Sequence, residues 1–240
     1  MLEETKNFYK KTKLRTNIEE PDDSKVPVTF VKVFHKNYPR FESIKLPKAQ
    51  KGNLDKLFDL RESRRLFSKK PLSLKNLSLI LSSCRIIDFG REPERRTYPS
   101  GGGRFPVEIY ILSYNVENLN EGAYHYNFKN NLLEVLLKQK FEDKRKLTSP
   151  YLENVAASIF LTSVMSRAEV KYGLRAYPYS YLEAGHIGQN IQLKCTEFGI
   201  GSCPVSGFID DEVIKILDLT DGEIPIYSVS VGNINERNKD

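Results

Sequence analysis

Three arginines and one serine lie together in the segment Arg61–Phe67, at the end of a predicted helix. A guanidinium group matches two phosphate oxygens in a bidentate geometry, and a serine hydroxyl adds a further donor. Arg61, Ser63 and Arg65 could therefore hold a phosphate group. The same residues also fit the exposed basic end of a helix, and taken alone they favour that second interpretation.

A glycine-rich segment stands between a turn and an apolar strand in Tyr98–Tyr110. Gly101–Gly103 carry no Cβ, so a flat ligand could come close to the backbone there. Pro99 and Pro106 fix φ at both ends and stiffen the segment. A plain loop before a strand explains these residues equally well, so the case for a planar ligand depends on the rest of the chain.

A second loop of small residues follows a helix that Gly199–Gly201 is expected to end. Ser202–Phe208 contains Pro204 and Gly207, so we expect another stiff loop that a ligand can approach. The chain has no G-x-G-x-x-G, P-loop, G-x-S-x-G or H-E-x-x-H motif. Ser100 has no His or Asp partner at a recognisable spacing, which argues against a hydrolase.

The composition fits one globular domain, with or without an appendage, because the 240 residues are 40% hydrophobic and 28% charged. No apolar run reaches the length of a membrane span, and residues 1–13 are too charged for a signal peptide, so we expect a cytoplasmic protein. The cysteine and histidine spacings argue against disulfides and metal sites. We expect Cys84 and Cys203 to pack as small apolar residues and His186 to be a core histidine.

The basic excess lies in the first third of the chain. Residues 1–70 hold 18 Lys and Arg against 10 Asp and Glu, whereas the other 170 hold 19 against 21. Nucleic acid is one partner that such an excess fits. Acidic residues interrupt the basic run and no nucleic-acid motif accompanies it, so a solvated surface is favoured. We therefore predict neither a nucleic-acid nor a membrane partner.

The remaining patterns predict an α+β domain with helices packed on a sheet of a few strands. Residues 1–48 read as an extended arm with a short helix at 3–13, which we hypothesise wraps a partner subunit, and residues 49–240 as the main domain. A continuous apolar run at 155–164 is typical of a central strand buried on both faces. Further strands are expected at 107–114, 122–128, 132–136 and 224–231. Helices are expected at 54–61, 74–85, 150–154, 165–174, 179–198 and 210–217, with Ser73 and Asp210 as N-caps and a break at Pro178.

Taken in order, the motifs resemble those of the nitroreductase superfamily of FMN-dependent oxidoreductases. The shared elements are Arg-x-Ser-x-Arg-x-Phe at 61–67, Pro-Ser-x-Gly at 99–102, Pro-x-Glu at 106–108, Gly-x-Gly-Ser-Cys-Pro-x-x-Gly-Phe at 199–208 and Pro-x-Tyr…Val-Gly at 225–232. Within it, the chain resembles the SagB-type branch, which includes the azoline dehydrogenases of thiazole- and oxazole-modified peptides. The branch features are Lys-Tyr-Gly-x-Arg at 171–175 and Glu-Ala-Gly-His-Ile-x-Gln-Asn at 183–190.

This resemblance implies a nitroreductase-like α+β fold, with a mixed, mostly antiparallel sheet flanked by helices. It also implies an intertwined homodimer with two FMN sites at the subunit interface. The superfamily places a basic residue after the last Val-Gly, and Arg237 is the nearest cation to that position here. With it, the implied FMN contacts are Arg61, Ser63, Arg65, Pro99, Ser100, Gly101, Gly102, Pro204, Val205, Ser206 and Gly207.

Lys171 and Tyr172 match the pair that looks catalytic in the azoline branch. Oxidation of a thiazoline or oxazoline sends a hydride to the flavin and a proton to a general base. A lysine beside a tyrosine in a desolvated cleft can serve as that base. An ordinary helix surface is the alternative interpretation of these two residues.

The resemblance leaves other functions open. One is an NAD(P)H-dependent reductase of nitro compounds or quinones. Another is a protein that keeps the fold but only binds flavin or acts as a scaffold. The implied partners are a second subunit, a small-molecule or peptide substrate, and a cyclodehydratase complex.

Overall fold

The computed structural model describes residues 1–16 and 35–235, and within them the strands form one large sheet and one small one. The strands are β1 (Ile86–Asp88), β2 (Arg95–Arg96), β3 (Val107–Ser113), β4 (Gly122–Asn127), β5 (Leu132–Lys138), β6 (Ala157–Val164), β7 (Ile200–Val205) and β8 (Glu223–Asn233). The large sheet has the order β5-β4-β3-β6-β8-β7, and each of its pairings is antiparallel. Strands β1 and β2 pair separately.

Strand β6 lies in the middle of the large sheet, between β3 and β8. Every residue of β6 except Val164 is buried. Ile159 and Leu161 join the larger of the two apolar clusters, whereas Phe160 points to the other side and packs against Phe208 at a ring distance of 5.1 Å. The prediction of a central strand buried on both faces is therefore confirmed.

The helices complete the α+β class, which is confirmed. They are α1 (Glu3–Thr12), α2 (Asp55–Leu60), α3 (Leu74–Leu81), α4 (Ser166–Tyr172), α5 (Ala176–Glu197) and α6 (Asp210–Leu217). Ser73 caps α3 as predicted, because its Oγ accepts a hydrogen bond from the backbone N–H of Asn76 at 3.1 Å. Cys84, in the short 3-10 turn after α3, is fully buried in the core.

Helix α5 begins at Ala176, so the predicted break at Pro178 is wrong. Pro178 lies in the first turn, where backbone N–H groups have no partner within the helix. A proline there removes no hydrogen bond, and its fixed φ suits the helix. The sequence shows the proline but not where the preceding turn begins.

One face of α5 packs on the sheet through Ile187 and Ile191, which are fully buried. Gly188 lies on the same side, and a Cβ built there would be 2.5 Å from Cε1 of Tyr227 on β8. A side chain at 188 would therefore push the helix away from the sheet.

Although α5 has 22 residues, neither it nor another described helix is both long and apolar enough to cross a membrane.

The other face of α5 is exposed, and we call its residues Leu182, Gly185, His186 and Gln189 the open face. Leu182 is 62% exposed. The interpretation of His186 as a core histidine is therefore wrong for this chain. The helix carries apolar residues on more than one side, so its sequence pattern did not identify the face that meets the sheet.

Two further local predictions are wrong. Residues 150–154 do not form a helix. Instead, Glu153 pairs by its backbone with the extended segment after α2, donating to Arg65 O and accepting from Phe67 N, each at 3.0 Å. The loop predicted at Ser202–Phe208 is a strand as far as Val205, because β7 pairs along its length with β8.

Helix α1 packs on the body of the protein, although the sequence favours an extended arm there. The Tyr9 hydroxyl donates to Asp210 Oδ1 and the Leu14 N–H donates to Asp210 Oδ2, both at 2.9 Å. Ile209 occupies the N-cap of α6, so the assignment of Asp210 as that cap is wrong. Burial raises the pKa of Asp210, and the hydrogen bonds from Tyr9 and Leu14 oppose that rise. A domain boundary at residue 48 stays a prediction.

Replacing Tyr9 with Phe tests how α1 is attached. The Tyr9→Phe variant leaves the buried Asp210 without one donor, so we expect the free energy of unfolding to fall by about 1–2 kcal/mol. Tyr177→Phe is the matched control, because among the described residues its hydroxyl bonds only to the exposed Tyr181 hydroxyl, at 2.9 Å. Denaturant titration measures both variants. Equal stabilities of wild type and Tyr9→Phe would show that α1 does not dock in this way.

Candidate active site

The glycine-rich loop forms a tight turn whose backbone faces solvent. Ser100 closes the turn, because its Oγ accepts a hydrogen bond from the backbone N–H of Phe105 at 2.8 Å. Gly102 has a φ of 58°, a left-handed conformation that glycine adopts at little cost. Gly101 and Gly102 are exposed, so the surface above them is open to a ligand.

Lys171 and Tyr172, at the end of α4, lie directly against this loop. A Cβ built at Gly102 would be 2.6 Å from Lys171 Nζ and closer still to the Tyr172 hydroxyl oxygen. A Cβ at Gly101 would be 3.8 Å from the Tyr172 ring. The absence of a side chain at 102 is thus what makes room for both groups. The structure brings together two predicted features that are 70 residues apart in the chain.

The Tyr172 ring is held by an aromatic neighbour that the sequence analysis missed. The ring of Tyr179 meets it edge-on, with the centroids 5.1 Å apart. The guanidinium of Arg175 lies 6.0 Å from the Tyr179 centroid. Tyr179 is near the start of α5, where only the contact between α4 and α5 could reveal its role.

Lys171 is solvent-exposed, with its Nζ 5.4 Å from the centroid of the Tyr172 ring. A role for this lysine as a base requires a desolvated cleft. The described residues of a single chain do not provide that cleft. A covering group from beyond the described residues is therefore needed if Lys171 is to work away from water.

Glu183 is a second residue whose role the sequence analysis missed. Only 2% of it is exposed, and its Oε1 has no hydrogen-bond partner among the described residues. Burial raises the pKa of Glu183 to about 7, while the Ser100 hydroxyl, the Val107 backbone and two arginines oppose the rise. The sequence does place Glu183 on the same side of the helix as Ser180 and Ile187. A glutamate on that buried side is the pattern that could have indicated a buried carboxyl group.

The arginine segment lies at a different place, beside strand β7. Its backbone is extended rather than helical, and Arg64 N–H donates to Ser202 O at 2.9 Å. Arg61 Nη1 reaches Oε1 of Gln192 on α5 at 3.5 Å. Arg65 is exposed and close enough to Cys203 for its charge to oppose the rise that burial causes in the pKa of the thiol. Cys203 itself is 5% exposed and packs as predicted.

The second predicted loop continues from the same strand. Pro204 and Val205 end β7, and Ser206 is exposed immediately after them. A cavity of about 290 Å³ borders Ser206, Gly185 of the open face and Tyr227. The pairing of residues 63 and 202 therefore groups the arginine segment with residues 204–207. The position matching the final basic contact, Arg237, lies outside the described residues.

The glycine loop follows one edge of α5. Ser100 interacts with Glu183, and Asn190 Nδ2 donates to the carbonyl oxygen of Thr97 at 3.1 Å. Because an α-helix turns by about 100° per residue, positions 183 and 190 are only about 20° apart around the axis. Both contacts therefore lie along the same edge of the helix.

The arginine segment follows the opposite edge. Gln192, which contacts Arg61, is about 180° around the helix from Glu183. Gly185, which borders the cavity beside Ser206, is about 200° from Glu183. The open face lies between these edges. The described part of the chain thus carries two groups of predicted cofactor contacts, one on each side of the open face, and does not join them.

Comparison with known proteins identifies relatives of the chain. The model of the Nitroreductase family matches residues 60–233. MJ1384 of Methanocaldococcus jannaschii, whose name assigns it to the nitroreductases, is 29% identical over 194 residues, which are 79% of this chain and 95% of that protein. The microcin B17-processing protein McbC of Escherichia coli is 29% identical over 156 residues, which are 59% of this chain and 56% of McbC.

Solved structures share the fold. A chain of the Escherichia coli microcin synthetase McbBCD complex with truncated pro-MccB17 bound matches 96% of this chain and 92% of its own, with a TM-score of 0.73 and 22% identity. A Ralstonia eutropha structure described as a nitroreductase matches 80% of this chain and 88% of its own, with a TM-score of 0.66 and 22% identity. The arrangement of helices on an antiparallel sheet is common to these proteins.

Substituting Gly102 tests the packing of the loop against α4. We expect Gly102→Ala to lower the free energy of unfolding by about 1–2 kcal/mol, because alanine is strained at this φ and its methyl group meets Lys171 and Tyr172. Gly207→Ala is the control, since a Cβ there meets nothing within 4 Å. We expect it to change stability by less than about 0.5 kcal/mol. Equal effects of the two substitutions in denaturant unfolding would contradict the proximity of the glycine loop to α4.

Proposed function

The chain belongs to the nitroreductase family, a family of oxidoreductases, and we propose that it is an FMN-dependent dehydrogenase of the SagB type. In this proposal it acts as a homodimer that oxidises thiazoline or oxazoline rings in a modified peptide. The family membership supports the oxidoreductase class. The similarity to McbC, a protein named for processing microcin B17, supports a peptide substrate.

The two groups of residues fit the two ends of FMN, a planar ring system joined to a phosphate. Arg61 and Arg65 supply guanidinium groups for the phosphate, and Ser63 adds a hydroxyl between them. Gly101 and Gly102 offer exposed backbone with no Cβ, against which a flat ring can lie. Residues 204–207 would supply backbone groups at the other edge of the ring.

The position of these groups on opposite edges of the open face carries the proposal of a dimer. Arg61 contacts Gln192 on one edge, whereas Ser100 contacts Glu183 on the other. A two-fold axis along the open face and roughly parallel to α5 places the arginine edge of one chain beside the glycine edge of the other. Each dimer then has two complete sites, and each site uses both chains. The same pairing covers the exposed Leu182.

Lys171 and Tyr172 are the residues we assign to the proton. Bound FMN would supply the hydride acceptor that this oxidation needs. Lys171, next to Gly102, takes the proton that leaves the neighbouring carbon, so that the ring loses one hydride and one proton in total. Tyr172 is fixed by Tyr179 and holds the lysine over the glycine loop. The partner subunit in this arrangement supplies the water exclusion that the described residues of one chain do not provide.

Reduction of nitro compounds or quinones by NAD(P)H is the second candidate. The match to MJ1384 over 95% of that protein favours it, because that relative carries the nitroreductase name. Stopped-flow mixing with NADPH separates the two functions, since rapid flavin reduction supports the reductase. A protein that takes up no FMN would instead favour a scaffold role, which a cyclodehydratase complex could use.

Mixing two half-site variants tests both the cofactor and the dimer. Arg61→Ala removes a phosphate contact, and Gly101→Leu fills the surface on which the ring would lie. We expect each homodimer to bind FMN at least about tenfold more weakly than wild type, the size of one lost charged hydrogen bond. In a mixed dimer, one site contains both substitutions and the other contains neither. Unfolding and refolding the two variants together should therefore restore tight FMN binding at about half of the sites in the mixed dimers.

FMN fluorescence quenching and the visible spectrum measure this recovery. Gly90→Leu, at an exposed loop glycine with no close neighbour except Asp88, is the control and should bind FMN like wild type. No recovery on mixing would place both groups of contacts in one chain. A wild-type protein that remains colourless with excess FMN would overturn the oxidoreductase function altogether.

Replacing Lys171 tests the assignment of the base. We expect Lys171→Ala to lower the single-turnover rate of flavin reduction by an azoline peptide at least about 100-fold, the usual contribution of a general base. FMN affinity should stay within about threefold, because the lysine is exposed and contacts the loop only through its tip. Lys75→Ala on α3 is the control. An unchanged single-turnover rate would remove Lys171 from the mechanism.

A further inference from the structure

Glu183 is a buried carboxyl group that the proposed chemistry does not use. It lies on α5, close enough to Ser100 for that hydroxyl to lower the pKa of the carboxyl, and Ser100 is one of the predicted cofactor contacts. Its Oε1 has no hydrogen-bond partner among the described residues, although the side chain is buried. An unpaired oxygen in such a place costs less on a neutral carboxyl than on a carboxylate. The position therefore favours a group that gains and loses a proton.

Ser100 has a fixed set of hydrogen-bonding sites, which makes it sensitive to that proton. A serine hydroxyl has one hydrogen to donate and two lone pairs to accept. The backbone N–H of Phe105 uses one lone pair, at 2.8 Å. The other lone pair and the hydrogen remain for two neighbours, Glu183 on the inner side and a bound ligand on the outer side. Ser100 is half-buried, so its outer side is open to a ligand.

We propose that Glu183 is a positioning residue that decides whether the Ser100 hydroxyl donates or accepts a hydrogen bond at the cofactor. A protonated Glu183 donates to the second lone pair of Ser100 and leaves the serine hydrogen free for the ligand. An ionised Glu183 accepts that hydrogen, so that Ser100 can only accept from the ligand. The identity of the ligand as FMN rests on the proposed function.

The surroundings of Glu183 place this change in a useful pH range. Burial raises the pKa of its carboxyl to about 7, and Arg96 and Arg167 keep it from rising further. Tyr98 is a further titratable group close enough to interact with it. Arg96 is itself engaged with Tyr98 and Glu94, so it does not neutralise Glu183 completely.

FMN binding as a function of pH gives the first test. The edge of the flavin ring has more acceptors than donors, so donation by Ser100 strengthens binding. We expect the dissociation constant of the wild-type protein to rise about fivefold between about pH 6 and pH 8, as one hydrogen bond is lost. Glu183→Gln should keep the tight binding at both pH values, because its amide donates to Ser100 as the protonated acid does.

The FMN phosphate also titrates in this pH range. Its effect on the dissociation constant is the same for every variant, so it cancels when the pH profiles are compared. Ser100→Ala should bind weakly at both pH values, and adding Glu183→Gln to it should change nothing further. Parallel pH profiles for wild type and Glu183→Gln would overturn the proposal.

Thermal unfolding of the cofactor-free protein gives a second test that does not depend on FMN. The folded carboxyl has a pKa of about 7, above its ordinary value of 4.5, so between these values the folded state holds a proton that the unfolded state has lost. Stability from the neutral carboxyl is therefore present at low pH and is lost as pH rises through about 7. Glu183→Gln does not titrate. Its Tm should therefore exceed that of wild type by a difference that grows between about pH 4.5 and about pH 7. The difference should reach on the order of 5 °C and stay constant at higher pH.

Ser100 should move the midpoint of that difference. The Ser100 hydroxyl favours the charged carboxyl, so Ser100→Ala should raise the pKa of Glu183 further. We therefore compare Ser100→Ala with the double variant that also carries Glu183→Gln. The Tm difference between these two proteins should reach its midpoint at a higher pH than the difference between wild type and Glu183→Gln. An unmoved midpoint shows that Ser100 and Glu183 are not coupled and overturns the proposal. If no protein binds FMN, the proposed function fails, and this midpoint alone decides whether the serine and the carboxyl act together.

Discussion

The packing of α5 on the sheet is the constraint on which the rest of the structure depends. Ile187 and Ile191 bury one face, and Gly188 lets the helix approach Tyr227 on β8. Once that face is fixed, the direction of every other residue of the helix follows from its turn of about 100° per residue. Glu183 must lie at one edge and Gln192 at the other. The separation of the glycine loop from the arginine segment is therefore a consequence of how one helix meets one sheet.

Two buried carboxyl groups use this framework in different ways. Asp210 accepts hydrogen bonds on both oxygens, from Tyr9 and Leu14, and so holds α1 against the start of α6. Glu183 is equally hidden from water but keeps one oxygen without a partner among the described residues. A fully paired carboxylate stabilises one arrangement of the chain, whereas a partly paired one is close in energy to its protonated form. The first is a structural contact, and the second is suited to a change in protonation.

The described residues of one chain bring the proposed catalytic pair to the glycine loop without enclosing it. Lys171 and Tyr172 meet Gly102, yet Lys171 remains in contact with water. The open face of α5 is also uncovered, with Leu182 62% exposed. Both features favour a cover, because an exposed leucine gains from burial and a lysine proposed as a base works best away from water. The proposed pairing through the open face would supply that cover for both.

The sequence by itself determined the features that depend on neighbours along the chain. The apolar run of β6, the cap at Ser73 and the glycines at 101 and 102 each follow from local side-chain chemistry, and the order of the motifs indicated the family. The tertiary structure alone decided which face of α5 is buried, and with it the exposure of His186. It also decided the partners of Asp210 and Glu183, since a carboxylate at the start or on the side of a helix has several possible partners in the sequence. Only contacts between residues far apart in the chain, such as Tyr9 with Asp210 or Gly102 with Lys171, select one of them.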